Sequence, residues 1–235
     1  MTGLDASVWL QWHGIALREP LILSVLITVL LAGVSWRIGL LLRRDGGAVP
    51  RLASAAYTLM HDAVAEVVAP QHVARVLPFV ASLWLFILLS NLLGLVPGLS
   101  SPTRDLSVTS ALAVIVFVAV HVYGIRAAGL GPYLKHYLSP SPILLPFHLI
   151  SEVTRTLALA IRLFGNMMSL EMAAMLVLLV AGLLIPIPLL LLHVVEALVQ
   201  AYIFGMLALI YIASALEVSE AHRGDDATPP TSSSS

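Results

Sequence analysis

Leu157-Ala-Leu-Ala-Ile-Arg-Leu-Phe-Gly-Asn-Met-Met-Ser-Leu-Glu171 is the stretch that decides how this chain reads. Arg162, Asn166, Ser169 and Glu171 interrupt a run that is otherwise apolar enough to lie in a bilayer. An arginine at the centre of a membrane helix costs about 2.5 to 3.5 kcal/mol on insertion scales. Either a partner within the chain or a task outside it has to account for Arg162.

Outward from there, residues 143–184 keep a helical pattern that exceeds the roughly 20 residues of one upright span. This predicts a strongly tilted or partly broken helix. Pro186-Ile-Pro188 predicts a turn, and 189–216 returns as the antiparallel partner. Upstream, 21–42, 73–96 and 107–123 are further spans, and Ser139-Pro-Ser-Pro142 is a break. Residues 50–71 interleave Arg51, Tyr57, His61, Asp62 and Glu66 with Leu, Ala and Val. That segment is too polar to span and reads as an amphipathic helix lying at the interface. The fold class expected is an all-α integral membrane protein with about five transmembrane helices, one interfacial helix and a long tilted helical hairpin.

Composition agrees. The 235 residues are 59% hydrophobic and 11% charged, with a mean hydropathy of +0.98, where soluble domains carry about 25% charged residues. A net charge of −1 argues against a nucleic-acid partner. The absence of cysteine excludes disulfides, thiolate metal sites and thiol catalysis. There is no His-Glu-x-x-His, nucleophile elbow or phosphate loop, so no catalytic residue, metal or cofactor is expected.

Arginines set the orientation. Arg43 and Arg44 follow the first span and Arg126 and Lys135 follow the third, which predicts an external N-terminus and a cytoplasmic C-terminus. Residues 1–20 form an external segment with Trp9 and Trp12 as interfacial anchors. The first apolar run begins at Pro20 and is long enough to span, so it reads as a retained helix rather than a signal peptide. Residues 21–72 comprise the first span and the interfacial helix, and 223–235 are a Pro- and Ser-rich disordered tail. No internal repeat is visible, which weakens a transporter built on inverted repeats.

Two helices hold most of the intramembrane polar groups. Glu152, Arg155, Arg162, Asn166 and Ser169 follow one another at steps of 3, 7, 4 and 3, which keeps them on one stripe. Glu152 and Arg155 can satisfy each other as a structural pair. Arg162 has no acid one turn away, and Glu171, nine residues on, falls on nearly the opposite face. On the returning helix His193, Glu196 and Gln200, at steps of 3 and 4, form a second stripe that Leu207 and Tyr211 extend. This stripe can meet Glu171 or Arg162. Two readings of Arg162 stand side by side: a buried pair with Glu196, with Gln200 bonding between helices, or a working part of an ion path. His193 beside Glu196 and Glu171 makes a plausible proton relay. Ser90 and Asn91 read as helix-packing polar groups, and His148 shares the face of Arg162.

Arg162-Leu-Phe-Gly-Asn-Met-Met-Ser169 resembles subunit a of the rotary F-type ATP synthases. The likeness extends to Leu149-Ile-Ser-Glu-Val-Thr-Arg155, Ser90-Asn-Leu-Leu-Gly-Leu-Val-Pro97, Gln200-Ala-Tyr-Ile-Phe204 and Ile210-Tyr-Ile-Ala-Ser-Ala-Leu-Glu217. It covers most of residues 75–222, and the first 70 match in topology only. The resemblance implies that 73–222 form a membrane ion-channel domain. It implies that Arg162 faces the carboxylates of a rotating c-ring, with Asn166 and Gln200 as polar neighbours. Glu171 and His193 match the pair associated with the half-channel from the external side. Glu196 is an additional acid in the relay region, and Thr156 stands where the family often has proline. The Met168-Ser-Leu-Glu171 run is similar to the N-type branch of these ATPases.

The implied function is a non-catalytic stator subunit that couples proton or sodium flow to rotation and to ATP synthesis or hydrolysis. Its implied partners are the c-ring, the peripheral stalk b subunits and the soluble catalytic head, in a bacterial inner membrane. A stand-alone ion or solute transporter is the alternative, and stoichiometric association with a ring separates the two.

Overall fold

The computed structural model describes residues 8–12, 15–41, 48–96, 100–131, 133, 145–181 and 186–227. Its helices are α1 (Glu19–Leu41), α2 (Ala48–Ala65), α3 (Pro70–Leu93), α4 (Leu106–Ala128), α5 (Leu145–Ala181) and α6 (Pro186–Ala227). All but α2 are long and apolar enough to cross a membrane. The segment judged too polar to span is α2. The expected all-helical membrane fold is therefore observed.

Local chemistry accounts for the helix boundaries. Pro70 starts α3, where the missing N–H costs nothing because first-turn donors have no intrahelical acceptor. Asp105 caps α4 by accepting from the Ser107 N–H at 2.7 Å. A short 3₁₀ turn, Pro102–Arg104, precedes that cap. The Pro186-Ile-Pro188 stretch, expected as a turn, forms the start of α6, again because proline suits a helix's first turn.

The far end of α6 departs from expectation. The helix runs to Ala227, past Leu216, where the apolar pattern stops. Its 42 residues and the 37 of α5 amount to about 63 and 55 Å at ~1.5 Å per residue. A hydrocarbon core is about 30 Å thick, so each helix is longer than one upright span requires. A second departure precedes α1. Val8–Trp12 and Ile15–Arg18 pair as an antiparallel hairpin, with Trp12 opposite Ile15 and an irregularity between Val8 and Leu10. The β-favouring Val, Trp and Ile flank a His13-Gly14 dipeptide of the length hairpins favour. The basic turn at 43–47 and the break at 139–142 lie outside the described residues.

The core lies where α3, α4, α5 and α6 converge. Val76, Val80 and Ile87 of α3, Val116 of α4, Leu163 of α5 and Phe204, Leu209 and Ile212 of α6 are buried. Trp84 of α3 stacks on Tyr202 of α6 with centroids 6.4 Å apart, and its indole N–H donates to the Tyr202 carbonyl at 3.3 Å. The ring occupies the space beside Gly205, where an added Cβ would fall 1.9 Å from Nε1. Each arm of the α5–α6 hairpin packs more extensively on α4 than on the other arm. Outward, α5 presents Leu157, Ile161, Met172 and Leu179, and α6 presents Leu191, Val195, Leu198 and Tyr202.

Candidate functional site

Helical spacing places Arg162 on the outward strip of α5, next to Ile161 and one turn from Leu157 and Ala158, all exposed. No acid among the described residues pairs with it. The pairing with Glu196 is not formed. Glu196 is half-buried on α6 and makes neither a hydrogen bond nor an ion pair among the described residues.

Asn166, one turn after Arg162, does reach α6. Its Nδ2 donates to Gln200 Oε1, joining the two arms across the hairpin. Gln200 is 1% exposed, and its own Nε2 is buried without a partner. Two carboxamides thus hold each other in the layer behind the arginine. Arg155 is arranged differently. Glu152 lies 3.8 Å from its Nη1, and its guanidinium sits 4.6 Å over the Tyr211 ring. Both members of the Glu152–Arg155 pair are therefore engaged within the chain, with α6 contributing the aromatic face.

Glu171 meets a residue that spacing along α5 does not reveal. Arg104, from the 3₁₀ turn before α4, donates from Nη1 to Glu171 Oε1 at 2.6 Å and from Nη2 to Ser100 Oγ at 3.2 Å. The two side chains are 30% and 25% exposed and border an open cavity of about 430 Å³ that Phe164, Met168, Met172 and Met175 also line. Sequence held one clue to Arg104. A cation in a loop expected to be external runs against the usual distribution of positive charge.

His193 is buried, and its Nε2 lies 3.2 Å from the Asn91 carbonyl. A carbonyl can only accept, so Nε2 carries the proton and donates. Ser90 and Asn91 thus belong to a larger cluster than helix packing requires. Thr103 Oγ1 donates to Asn91 Oδ1 at 2.6 Å, Ser101 Oγ donates to the Ser90 carbonyl at 2.8 Å, and the two hydroxyls lie 2.6 Å apart. Two hydroxyl protons cannot serve three such contacts. Asn91 Nδ2 meanwhile is buried and unpartnered. Turning that amide over lets Nδ2 donate to Thr103, Thr103 to Ser101 and Ser101 to Ser90, so that each of the three contacts has its own proton.

His193 and Glu171 consequently do not meet directly. The 100–104 turn lies between them, holding Glu171 through Arg104 and reaching His193 through Thr103 and Asn91. His148 is exposed near the start of α5, remote in sequence from this cluster. Among the described residues no three His, Asp or Glu side chains are grouped to hold a metal ion.

Comparison with known proteins points one way. The family described as ATP synthase A chain matches residues 21–213. ATP synthase subunit a 1 of Hahella chejuensis is 53% identical over 215 residues, 92% of this chain and 91% of that protein. ATP synthase subunit a 2 of Pelobacter propionicus is 60% identical over 197 residues, covering 84% and 86%. ATP synthase subunit a of Legionella pneumophila is 62% identical over 161 residues, covering 68% and 70%.

Proposed function

The chain belongs to the ATP synthase A chain family, and from that premise we propose that it is the ion-translocating stator subunit of a rotary ATP synthase. It is an integral, multi-pass membrane protein. Residues 73–222 would be the ion-channel domain, 21–72 the first span with its interfacial helix, and 1–20 and 223–235 the external segment and the tail. The N-terminus would lie outside and the C-terminus in the cytoplasm of a bacterial inner membrane. The Met168-Ser-Leu-Glu171 run, similar to that of the N-type branch, supports placing it there.

The observation that carries the proposal is Arg162, exposed on an apolar helix face and paired with no acid among the described residues. A guanidinium keeps its proton in proteins. It can therefore stand between two aqueous half-channels without passing a proton from one to the other. Its natural counterpart is a carboxylate brought past it by a c-ring. At ~4 Å that attraction is about 1 kcal/mol in water and about 4 kcal/mol at an effective dielectric of ~20. Each elementary charge crossing the membrane contributes ~2.3 kcal/mol per ~100 mV. A partly hydrated contact thus remains escapable under load.

Asn166 and Gln200, bonded to each other, would keep the ground behind Arg162 polar without neutralising it. Glu171 and His193, joined through the 100–104 turn, would serve the external half-channel. Glu196, one turn from His193 and without a hydrogen bond or ion pair among the described residues, would lie along the same relay. The chain carries no reaction of its own here. It works with the c-ring, the b subunits of the peripheral stalk and the soluble catalytic head.

Reconstitution separates this reading from a stand-alone transporter. Proteoliposomes holding the whole complex should pump on addition of ATP, and proteoliposomes holding this chain alone should pass no ion under an imposed potential. Sustained, saturable ion flux through the isolated chain would overturn the stator assignment.

A further inference from the structure

A second concentration of positive charge lies at the opposite end of α4 from the 100–104 turn. Here the beginning of α3, the last turns of α4 and Leu216 of α6 surround a cavity of about 310 Å³. His72, Arg75, Tyr123 and Arg126 supply its polar lining, and Val76 and Ala127 line it with Leu216. The Tyr123 hydroxyl donates to the Arg75 carbonyl at 3.0 Å, tying α3 to α4 beside the cavity. Both arginines are exposed, and among the described residues neither makes an ion pair or a hydrogen bond from its side chain. Glu66, the described acid nearest to Arg75 in sequence, and Glu217, next to Leu216 of the lining, are exposed and make no ion pair among the described residues. We propose that this crevice binds the phosphate headgroup of one anionic phospholipid.

Depth, charge and the neighbouring surface support that occupant. The 24 residues of α3 and 23 of α4 span ~36 and ~35 Å, slightly more than a ~30 Å hydrocarbon core. Arg126 therefore lies at the headgroup boundary, and Arg75, five residues into α3, is within a side chain's length of it. A forked guanidinium suits phosphate oxygens better than a point charge does. Free phosphate would be satisfied by the arginines alone. This site also has an apolar continuation, because Val122 and Val118 stand exposed one and two turns below Arg126 toward the membrane centre. An acyl chain attached to the bound headgroup would lie along that strip. In the orientation proposed above, on which this assignment alone rests, the crevice opens on the cytoplasmic face.

The test uses the intact complex in nanodiscs of phosphatidylcholine with increasing phosphatidylglycerol, and native mass spectrometry to count retained anionic lipid. Wild type is compared with the double variant Arg75→Gln, Arg126→Gln and with Arg75→Lys, Arg126→Lys. The glutamine pair should retain one phosphatidylglycerol fewer, with binding roughly thirtyfold weaker, the effect of losing two interfacial cations. The lysine pair should fall between, which separates lost charge from lost fold. ATP-driven pumping in pure phosphatidylcholine should be the same in all three, so the lipid site and the role of Arg162 can fail independently. Equal retention by the glutamine pair would overturn the proposal, as would displacement of the lipid by millimolar inorganic phosphate. Loss of the peripheral stalk from the glutamine pair with lipid count unchanged would instead assign the crevice to an acidic protein segment.

Discussion

Arg155 and Arg162 sit seven residues apart on one stripe of one helix, yet their surroundings are opposite. Arg155 has a carboxylate on its own helix and a tyrosine ring from α6. Among the described residues Arg162 has neither, and it projects from a face made of Leu157 and Ile161. The spacing rule that pairs Glu152 with Arg155 would have placed an acid at position 158 or 159 for Arg162, and those positions hold Ala158 and Leu159. The difference teaches that charge in an apolar helix does not have one meaning. A cation satisfied inside the chain is architecture. On the function proposed above, a cation left open on the same stripe serves a partner outside the chain.

The sharpest way to break this contrast is to remove the open charge. Arg162→Ala should lower coupled ATP synthesis by at least about a hundredfold, the scale of losing one preorganised electrostatic group, while the complex still assembles. ATP synthesis by inverted membrane vesicles and ATP-driven proton pumping both read it, and normal coupling would sink the central claim. A finer break gives Arg162 what Arg155 already has. Ala158→Glu places a carboxylate four residues before the arginine, the favourable order for a helical ion pair, and should slow rotation-coupled pumping about tenfold in an assembled complex. Wild-type pumping in that variant would mean that the vacancy beside Arg162 carries no functional weight. The smallest effect is expected from the satisfied partner. Arg155→Met removes a cation–π contact of about 0.5 to 2 kcal/mol and should leave pumping within about twofold while lowering the melting temperature of the purified complex by a few degrees. A loss of coupling equal to that of Arg162→Ala would erase the distinction between the two arginines.

Much of this was legible in one dimension because membrane helices are defined by length and polarity. The five spans, the shorter and more polar α2 and the opposed faces of Arg162 and Glu171 all follow from periodicity and from a ~30 Å apolar slab. Contacts made by irregular backbone were not legible. Arg104 reaches Glu171 across 67 positions and His193 reaches Asn91 across 102, and no helical period relates either pair. Ser90 and Asn91 read as packing because Ser101 and Thr103, which bond them, sit in a turn whose path sequence pattern does not specify. The N-terminal hairpin and the continuation of α6 to Ala227 escaped for a different reason. Both are local structures formed by mixed or polar residues, where no apolar period marks an element.

The packing of Trp84 into the notch at Gly205 has a mechanical meaning. A subunit that holds still while its neighbour turns must resist shear between its own helices. A flat ring seated where no Cβ can stand, with its N–H fastened to the Tyr202 backbone, blocks α6 from sliding along α3 or rolling against it. Side chains that merely interdigitate can step from one ridge to the next, and a large planar key in a fitted recess cannot. Torque delivered to α5 and α6 would then be carried into α3 as load on a rigid body rather than dissipated as creep between helices.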